Sequence, residues 1–129
     1  MASSKRQHHA MERELARALT RACESAKGQI LGFEWLTHRV NYDSFPDSLI
    51  VTWVFDSESH LTAALCSHDQ AWIHDLTQAA FEDIGINVAD ISRHLEFDCE
   101  ERCAVSHQGN WALRLGSRQR SGGKHGKGH

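Results

Sequence analysis

Two thiols and an imidazole recur at four-residue intervals in the segment DCEERCAVSH, at Cys99, Cys103 and His107. Side chains four residues apart share one face of an α-helix, so these groups lie together if the segment is helical. His94 adds a second imidazole five residues before Cys99. Because zinc binds both thiolate and imidazole, these four residues are candidate ligands of a metal ion.

The same segment also has a structural interpretation, which the sequence favours. Zinc-binding chains usually carry paired C-x2-C motifs, and the four cysteines of this chain form none. Buried cysteine behaves as a small apolar residue, so Cys99 and Cys103 can pack a short helix against a sheet. Asp98 and Glu101 have the spacing of a capping box at the start of that helix. We therefore predict packing rather than metal binding, with reduced thiols and no cofactor.

Two His-Asp dipeptides, at positions 68–69 and 74–75, are candidates for acid–base or metal chemistry. They lack the wider set of His and Asp that a metal-dependent phosphohydrolase needs, and they fit the start and the outer face of an amphipathic helix. Glu34 and His38 share one face of a predicted strand, a placement that suits proton transfer. No nucleophile motif, phosphate loop or cofactor fingerprint accompanies them, so the sequence favours a protein that is not an enzyme.

Charge is distributed unevenly along the chain, whose net charge is −3. Residues 1–27 carry a net charge of +3, residues 28–115 carry −10, and residues 116–129 carry +4. An acidic body is thus flanked by two basic ends. Such a body repels nucleic acid and suits a basic protein partner, so we expect a protein partner.

The basic ends supply the candidates for nucleic-acid contact. Three arginines fall on one face of the first predicted helix and could follow a phosphate backbone, and four more cations lie near the C-terminus. The candidates are Arg13, Arg17, Arg21, Arg118, Arg120, Lys124 and Lys127.

Hydrophobic periodicity predicts the elements that position these groups. The segment 48–56 is apolar on both faces, which indicates a central strand, and a polar loop around Pro46 joins it to the strand before it as a hairpin. In chain order the predicted elements are a helix over 10–27, strands over 32–42 and 48–56, a helix over 57–68 that Ser57 or Ser59 caps, a helix over 68–86, a strand at HLEF, and a short helix over 99–107.

This order predicts an α+β fold with a small, mostly antiparallel sheet and helices packed on one face. One domain spans residues 10–115, between disordered residues 1–9 and a disordered, Gly/Ser-rich basic tail over 116–129. No apolar run approaches the ~18 residues of a membrane span, and no apolar segment follows the basic start of MASSKRQHHAMERE, so we expect no secretory signal. We expect a cytoplasmic protein without membrane contact; its oligomeric state stays open.

The element order resembles that of type II KH domains, and of the KH-like core of ribosome-binding factor A in particular, over roughly residues 10–98. The Gly-x-x-Gly loop that clamps the nucleic-acid backbone in KH domains is missing, because CSHDQ (66–70) stands between the two helices. The resemblance therefore implies a fold and says little about function.

The segments GFEWLTHRVNYDSFPDSL, WVFD and HLEFDCEERC resemble a small family of uncharacterised bacterial proteins, some labelled Fis-type transcriptional regulators. That label implies a C-terminal helix-turn-helix whose second helix reads the major groove. Here one short acidic helix at 99–107 has no basic recognition helix after it.

The sequence predicts a non-enzymatic, cytosolic interaction or regulatory protein with an acidic body and basic ends. The first alternative is a nucleic-acid-associated regulator, transcriptional or ribosome-linked, that uses the arginine stripe and the tail. The second is a metal-binding protein or enzyme at His94, Cys99, Cys103 and His107.

Overall fold

The computed structural model describes residues 2–116, and the side chains from Gln7 onward. Five helices and three strands make up an α+β fold, which confirms the predicted fold class. In chain order these are α1 (Ala2–Ala26), β1 (Phe33–Arg39), β2 (Ile50–Phe55), α2 (Glu58–Leu65), α3 (His68–Asp83), β3 (Leu95–Cys99), α4 (Glu100–His107) and α5 (residues 111–116).

The three strands form one sheet in the order β1-β2-β3. β1 and β2 are antiparallel, as the predicted hairpin requires, whereas β2 and β3 are parallel. The sheet is therefore mixed, where the sequence predicted a mostly antiparallel one. The chain between β2 and β3 contains α2 and α3, and a helical crossover of this length lets the second strand run parallel to the first.

The central strand β2 is buried on both sides, as its apolar pattern predicted. Val51, Trp53 and Phe55 belong to the main core on the face that α1 and α3 cover, which we call the core face. Thr52 and Val54 alternate with them and lie on the opposite, outer face, where both are also buried. Side chains that alternate along β2 therefore point to two opposite faces of the sheet, and both faces are covered by other parts of the chain.

The outer face carries α5, an addition to the predicted one-sided packing. Trp35 of β1 and Asp98 of β3 both lie beside Val54 in the strand register and so share its face. Trp111 of α5 packs edge-on against Trp35, with ring centroids 4.9 Å apart. Arg114 of α5 is hydrogen-bonded to Asp98, so α5 is held against this side of the sheet.

Helix α1 begins at Ala2, whereas the sequence predicted disorder over 1–9 and a helix from residue 10. The His8 ring stacks on Tyr42 with centroids 4.8 Å apart. One turn later, Glu12 accepts hydrogen bonds from the Tyr42 hydroxyl at 2.7 Å and from His38 Nε2 at 2.9 Å. These contacts hold the first turns of α1 against the β1–β2 connection. Residues 1–9 have no apolar periodicity, so the sequence did not predict a helix there.

Ser57 caps α2, as predicted, because its hydroxyl accepts a hydrogen bond from the His60 amide at 3.2 Å. Within residues 2–116 no helix has both the length and the apolar character that crossing a membrane requires. Residues 117–129, which make up nearly all of the predicted tail, lie outside the described part of the chain.

Candidate functional site

The four candidate metal ligands occupy separate environments. His94 is buried, its Nδ1 donates to the Leu49 carbonyl at 2.8 Å, and its ring packs against Phe81. Cys99 and Cys103 are both fully buried. Across residues 2–116 there is no group of three or more His, Cys, Asp or Glu side chains that could hold a metal ion. His94 therefore has a structural role as an anchor beneath β2.

His107 has an ordinary hydrogen-bonding partner, and Cys103 is a buried, neutral thiol. His107 lies beside Ser106, with 2.6 Å between its Nδ1 and the serine Oγ. Burial raises the pKa of the Cys103 thiol, so this sulfur stays protonated at neutral pH. A neutral, buried thiol packs as an apolar group rather than acting as a nucleophile.

The predicted capping box is wrong, and both of its carboxylates have other partners. Helix α4 begins at Glu100 with Cys99 as its N-cap, and no side chain caps it. Asp98 belongs to β3 and is engaged by Arg114. Glu101 turns towards α2 instead, where its Oε1 accepts a hydrogen bond from the Glu58 amide at 2.8 Å. Asp98 and Glu101 have the spacing of a capping box, but both carboxylates bind partners elsewhere in the fold instead.

Arg114 and Asp98 form a buried, two-pronged ion pair. Arg114 Nε donates to Oδ2 at 2.7 Å and Nη2 donates to Oδ1 at 3.1 Å. The Asp98 side chain is 0% exposed and that of Arg114 is 13% exposed. A bidentate geometry of this kind is the strongest that arginine makes with a carboxylate.

Glu100 joins two tryptophans from distant parts of the chain. Its Oε2 accepts from Trp35 Nε1 and its Oε1 accepts from Trp111 Nε1, each at 2.7 Å. The Arg114 guanidinium also lies 6.0 Å from the Trp111 ring centroid, within the range of a cation–π contact. The carboxylate therefore fastens α5 to β1.

An open groove of about 530 Å³ lies between α2 and α4, and we call it the α2–α4 groove. Val105 stands in it with 85% of its surface exposed. Arg102 Nε donates to Glu58 Oε2 at 2.6 Å across the groove. Its lining residues are Glu58, Glu101, Arg102, Val105, Ser106 and Arg114.

The groove lining holds two carboxylates and two guanidiniums. The hydrogen bond from Arg102 lowers the pKa of Glu58, and the hydrogen bond from His60 lowers the pKa of Asp56, so both are ionised at neutral pH. Glu58 and Glu101 are balanced by Arg102 and Arg114, so the lining carries no net charge.

The arginine stripe on α1 is partly engaged by carboxylates. Arg21 pairs with Asp83 of α3, and Arg17 lies 3.7 Å from Glu14 on its own helix. Arg13 is exposed. The four remaining cationic candidates, Arg118, Arg120, Lys124 and Lys127, lie outside the described residues.

The acid–base pairs suggested by the sequence are not brought together. Glu34 sits at a bulge in β1 and is exposed, while His38 contacts Glu12 of α1. The dipeptides at 68–69 and 74–75 lie on α3, with Ser67 rather than Asp69 accepting the first-turn amide hydrogen bond. These groups therefore contribute to the surface of the helix.

Sequence reasoning missed one pair, Asp56 and His60. The His60 Nδ1 lies 2.7 Å from Asp56 Oδ1, and both side chains are half-exposed. The signal was present, since the two residues are four apart at a helix start. Close contact with the backbone of Gly32 fixes the imidazole, because a Cβ at Gly32 would lie 2.4 Å from His60 Cβ.

Comparison with protein-family models, with curated proteins and with solved structures finds no match to this chain.

Proposed function

We propose that this chain is a non-enzymatic interaction and regulatory protein whose acidic body binds a basic segment of a protein partner. The proposal rests on the ion pairs that hold the arginines of the acidic body. Of the four arginines in residues 28–115, three are paired with carboxylates. The pairs are Arg39–Glu96 at 2.8 Å, Arg102–Glu58 at 2.6 Å and Arg114–Asp98 at 2.7 Å. Arg93 alone among the four is outside these ion pairs, so few cations in this region are available to bind phosphate.

A negative body favours a basic partner and disfavours nucleic acid. Like charge slows encounter with phosphate backbones, whereas opposite charge steers association with a cationic surface. Helix α5 follows α4 after a turn at Gln108 and Gly109, and within its described residues, 111–116, Arg114 is turned inward to Asp98. A recognition helix needs its cations directed towards the groove of DNA, so this arrangement supports a protein ligand.

We place this function in the cytosol. All four cysteines are free, and Cys66 is exposed. Free and accessible thiols are typical of proteins that work in a reducing compartment.

Affinity capture with the full-length chain tests the proposal. We expect captured proteins to be basic, to survive nuclease treatment and to be released by salt, because exposed charge pairs are screened within a Debye length of about 8–10 Å at physiological ionic strength. A charge-reduced variant, Glu34→Gln with Asp47→Asn and Asp75→Asn, changes three exposed carboxylates and should capture less.

Two results would contradict this function. Capture that disappears on nuclease treatment would point to the nucleic-acid alternative. So would binding of duplex DNA or RNA with a steep salt dependence by a variant whose Arg118, Arg120, Lys124 and Lys127 are changed to Gln, because the tail would then not be its source.

A further inference from the structure

Helices α1 and α3 lie side by side over the core face and leave a groove of about 600 Å³ between them, which we call the α1–α3 groove. Most of its walls are short or apolar side chains, namely Ala18, Ala22 and Ser25 from α1 and Leu76, Ala79 and Ala80 from α3. An ion pair between Arg21 and Asp83 joins the two walls. The side chains at a helix contact set the distance between the helix axes, so these walls admit a close approach by another helix.

The two helices that form the groove carry opposite charge on their exposed sides. On α1, Arg13, Arg17 and Arg21 recur at intervals of four residues, so they share one face of the helix, and all three are exposed. Helix α3 has four acidic residues, three of them exposed, and no lysine or arginine. Glu82 and Asp83 lie level with Arg21, because Arg21 contacts Asp83.

The acidic residues of α1 offset its arginine stripe only in part. Among the side chains of α1 that the structure describes, Glu12 is turned to the β1–β2 connection, and Glu24 lines a separate groove beside β1. Glu14 lies beside the stripe, 3.7 Å from Arg17. Three arginines thus stand against four carboxylates, this one and the three exposed on α3, so the surface is close to neutral. Residues 28–115 as a whole carry −10, so this surface repels a second copy far less than the rest of the body.

Two copies can meet across this surface in one symmetric arrangement that pairs opposite charges. A two-fold axis that runs along the groove places α1 of each copy over α3 of the other, so the arginine stripe meets the carboxylates twice. A two-fold axis that runs across the groove would place stripe on stripe, and like charges repel. Arg17 lies one helical turn from Arg21, so the first arrangement brings it near Glu82 of the second copy.

The size of this surface fits a weak dimer. Helix α3 has 16 residues and each helix is about 10 Å wide, so the two helices present an area of roughly 24 Å by roughly 20 Å. A specific interface usually buries about 800 Å² on each partner, and smaller contacts are typical of transient complexes. The dimer should therefore dissociate on dilution.

We propose that the α1–α3 groove is an interface with a second copy of this chain, and that the arginine stripe serves this contact. The dimer is symmetric and depends on protein concentration and on salt. This inference goes beyond the proposed function and does not rest on it. A chain that stays monomeric can still bind a basic partner, and a dimer can form without one.

Sedimentation velocity of the full-length chain tests the interface. At about 50 mM salt we expect the weight-average mass to rise from that of one chain towards that of two between about 5 and about 500 µM protein. At about 500 mM salt the association should weaken, because screening acts on exposed charge pairs.

Two charge reversals identify the surface. Arg17→Glu places a carboxylate opposite Glu82 of the second copy, and Glu82→Arg places a guanidinium opposite its Arg17. Each change acts at both symmetry-related contacts, so we expect the dissociation constant to rise by about tenfold or more. Both side chains are exposed, so neither change should unfold the chain. Glu34→Arg, a matched reversal of an exposed carboxylate on β1, is the control and should not weaken the dimer.

An equimolar mixture of the two single variants separates this interface from any other. Each variant alone repels its own copies, whereas one variant paired with the other has opposite charges at both contacts. The mixture should therefore dimerise about as strongly as the wild type. The double variant Arg17→Glu with Glu82→Arg should do the same, because it restores both contacts with the charges exchanged.

Three outcomes would overturn the proposal. A wild type that keeps the mass of one chain up to about 500 µM would show that no dimer forms. Loss of nucleic-acid binding in Arg17→Glu would then assign the stripe to nucleic acid. A dimer that neither reversal weakens would use another face of the molecule. A mixture that associates as weakly as its two components would show that Arg17 and Glu82 do not meet across the interface.

Discussion

The guanidinium of Arg114 makes two hydrogen bonds to the carboxylate of Asp98, which lies sixteen residues earlier and is completely buried on the outer face of the sheet. The carboxylate sits at the end of β3 and the guanidinium on α5, so the ion pair helps to hold α5 against the sheet. Taking both charges out of water costs free energy that only a close, well-oriented pair offsets.

We expect Arg114→Leu to lower the free energy of unfolding by about 3–5 kcal/mol, because it leaves the buried carboxylate of Asp98 without its guanidinium. Urea unfolding followed by circular dichroism measures the loss. The double variant Asp98→Leu with Arg114→Leu removes both charges and should recover much of it. A double variant as unstable as the single one would show that shape, not the buried charge, causes the effect.

Glu100→Ala should loosen α5, because both indole N–H groups then lose their acceptor. An unsatisfied buried donor costs about 1–3 kcal/mol. We therefore expect the free energy of unfolding to fall by an amount of that order for each partly buried tryptophan, Trp35 and Trp111. Faster hydrogen exchange at residues 113–115 would report release of the helix. Glu34→Gln, an exposed carboxylate on β1, is the control and should leave both exchange and stability unchanged.

The sequence predicted the fold class because most helices and strands show the hydrophobic periodicity of their type. The strands and their hairpin followed from β-type alternation, and the central place of β2 followed from its two apolar faces. The parallel pairing of β3 did not follow, because a single strand pattern is compatible with either direction. Pairing direction depends on how the helices between the strands cross the sheet.

Tertiary contacts account for what the sequence could not predict. Helix α1 extends to Ala2. In its first turns His8 and Glu12 contact Tyr42, which lies thirty positions after Glu12 in the sequence. The capping-box prediction failed because Asp98 and Glu101 found partners on α5 and α2. The same spacing of two acidic residues is compatible with a capping box or with tertiary contacts. Which of the two forms depends on partners that are distant in the sequence.

Gly32→Ala should destabilise the chain through two separate effects. Gly32 has φ of +85°, which an L-residue adopts at a cost of about 1–2 kcal/mol. A methyl group there would also approach His60 Cβ to 2.4 Å, so the imidazole must move. Gly28→Ala is the matched control, since Gly28 has φ of +79° and nothing within 4 Å of the new Cβ.

Thermal and urea unfolding of the two alanine variants separate these effects. Gly28→Ala measures the backbone cost alone, and any further loss in Gly32→Ala measures the displacement of His60. Adding His60→Ala to Gly32→Ala should remove that further loss. Equal losses in the two single variants would mean that His60 moves aside without cost.

The pair of Asp56 and His60 predicts a specific dependence of stability on pH. The hydrogen bond from His60 is the main cause that lowers the pKa of Asp56 below its ordinary value of 3.8. A carboxyl group with a lower pKa in the folded state stabilises that state above its unfolded pKa. This contribution is lost as the pH falls through the folded pKa, so we expect it to be complete at neutral pH and to vanish under strongly acid conditions.

Urea unfolding of the wild type and of Asp56→Asn across this range measures the contribution. The free energy of unfolding should differ most between the two proteins above about pH 5, and the difference should shrink as the pH falls below about 4. Glu34→Gln, which changes an exposed carboxylate on β1, should run parallel to the wild type throughout. A constant difference between wild type and Asp56→Asn at every pH would mean that the substitution acts through packing, and that ionisation of Asp56 is not linked to folding.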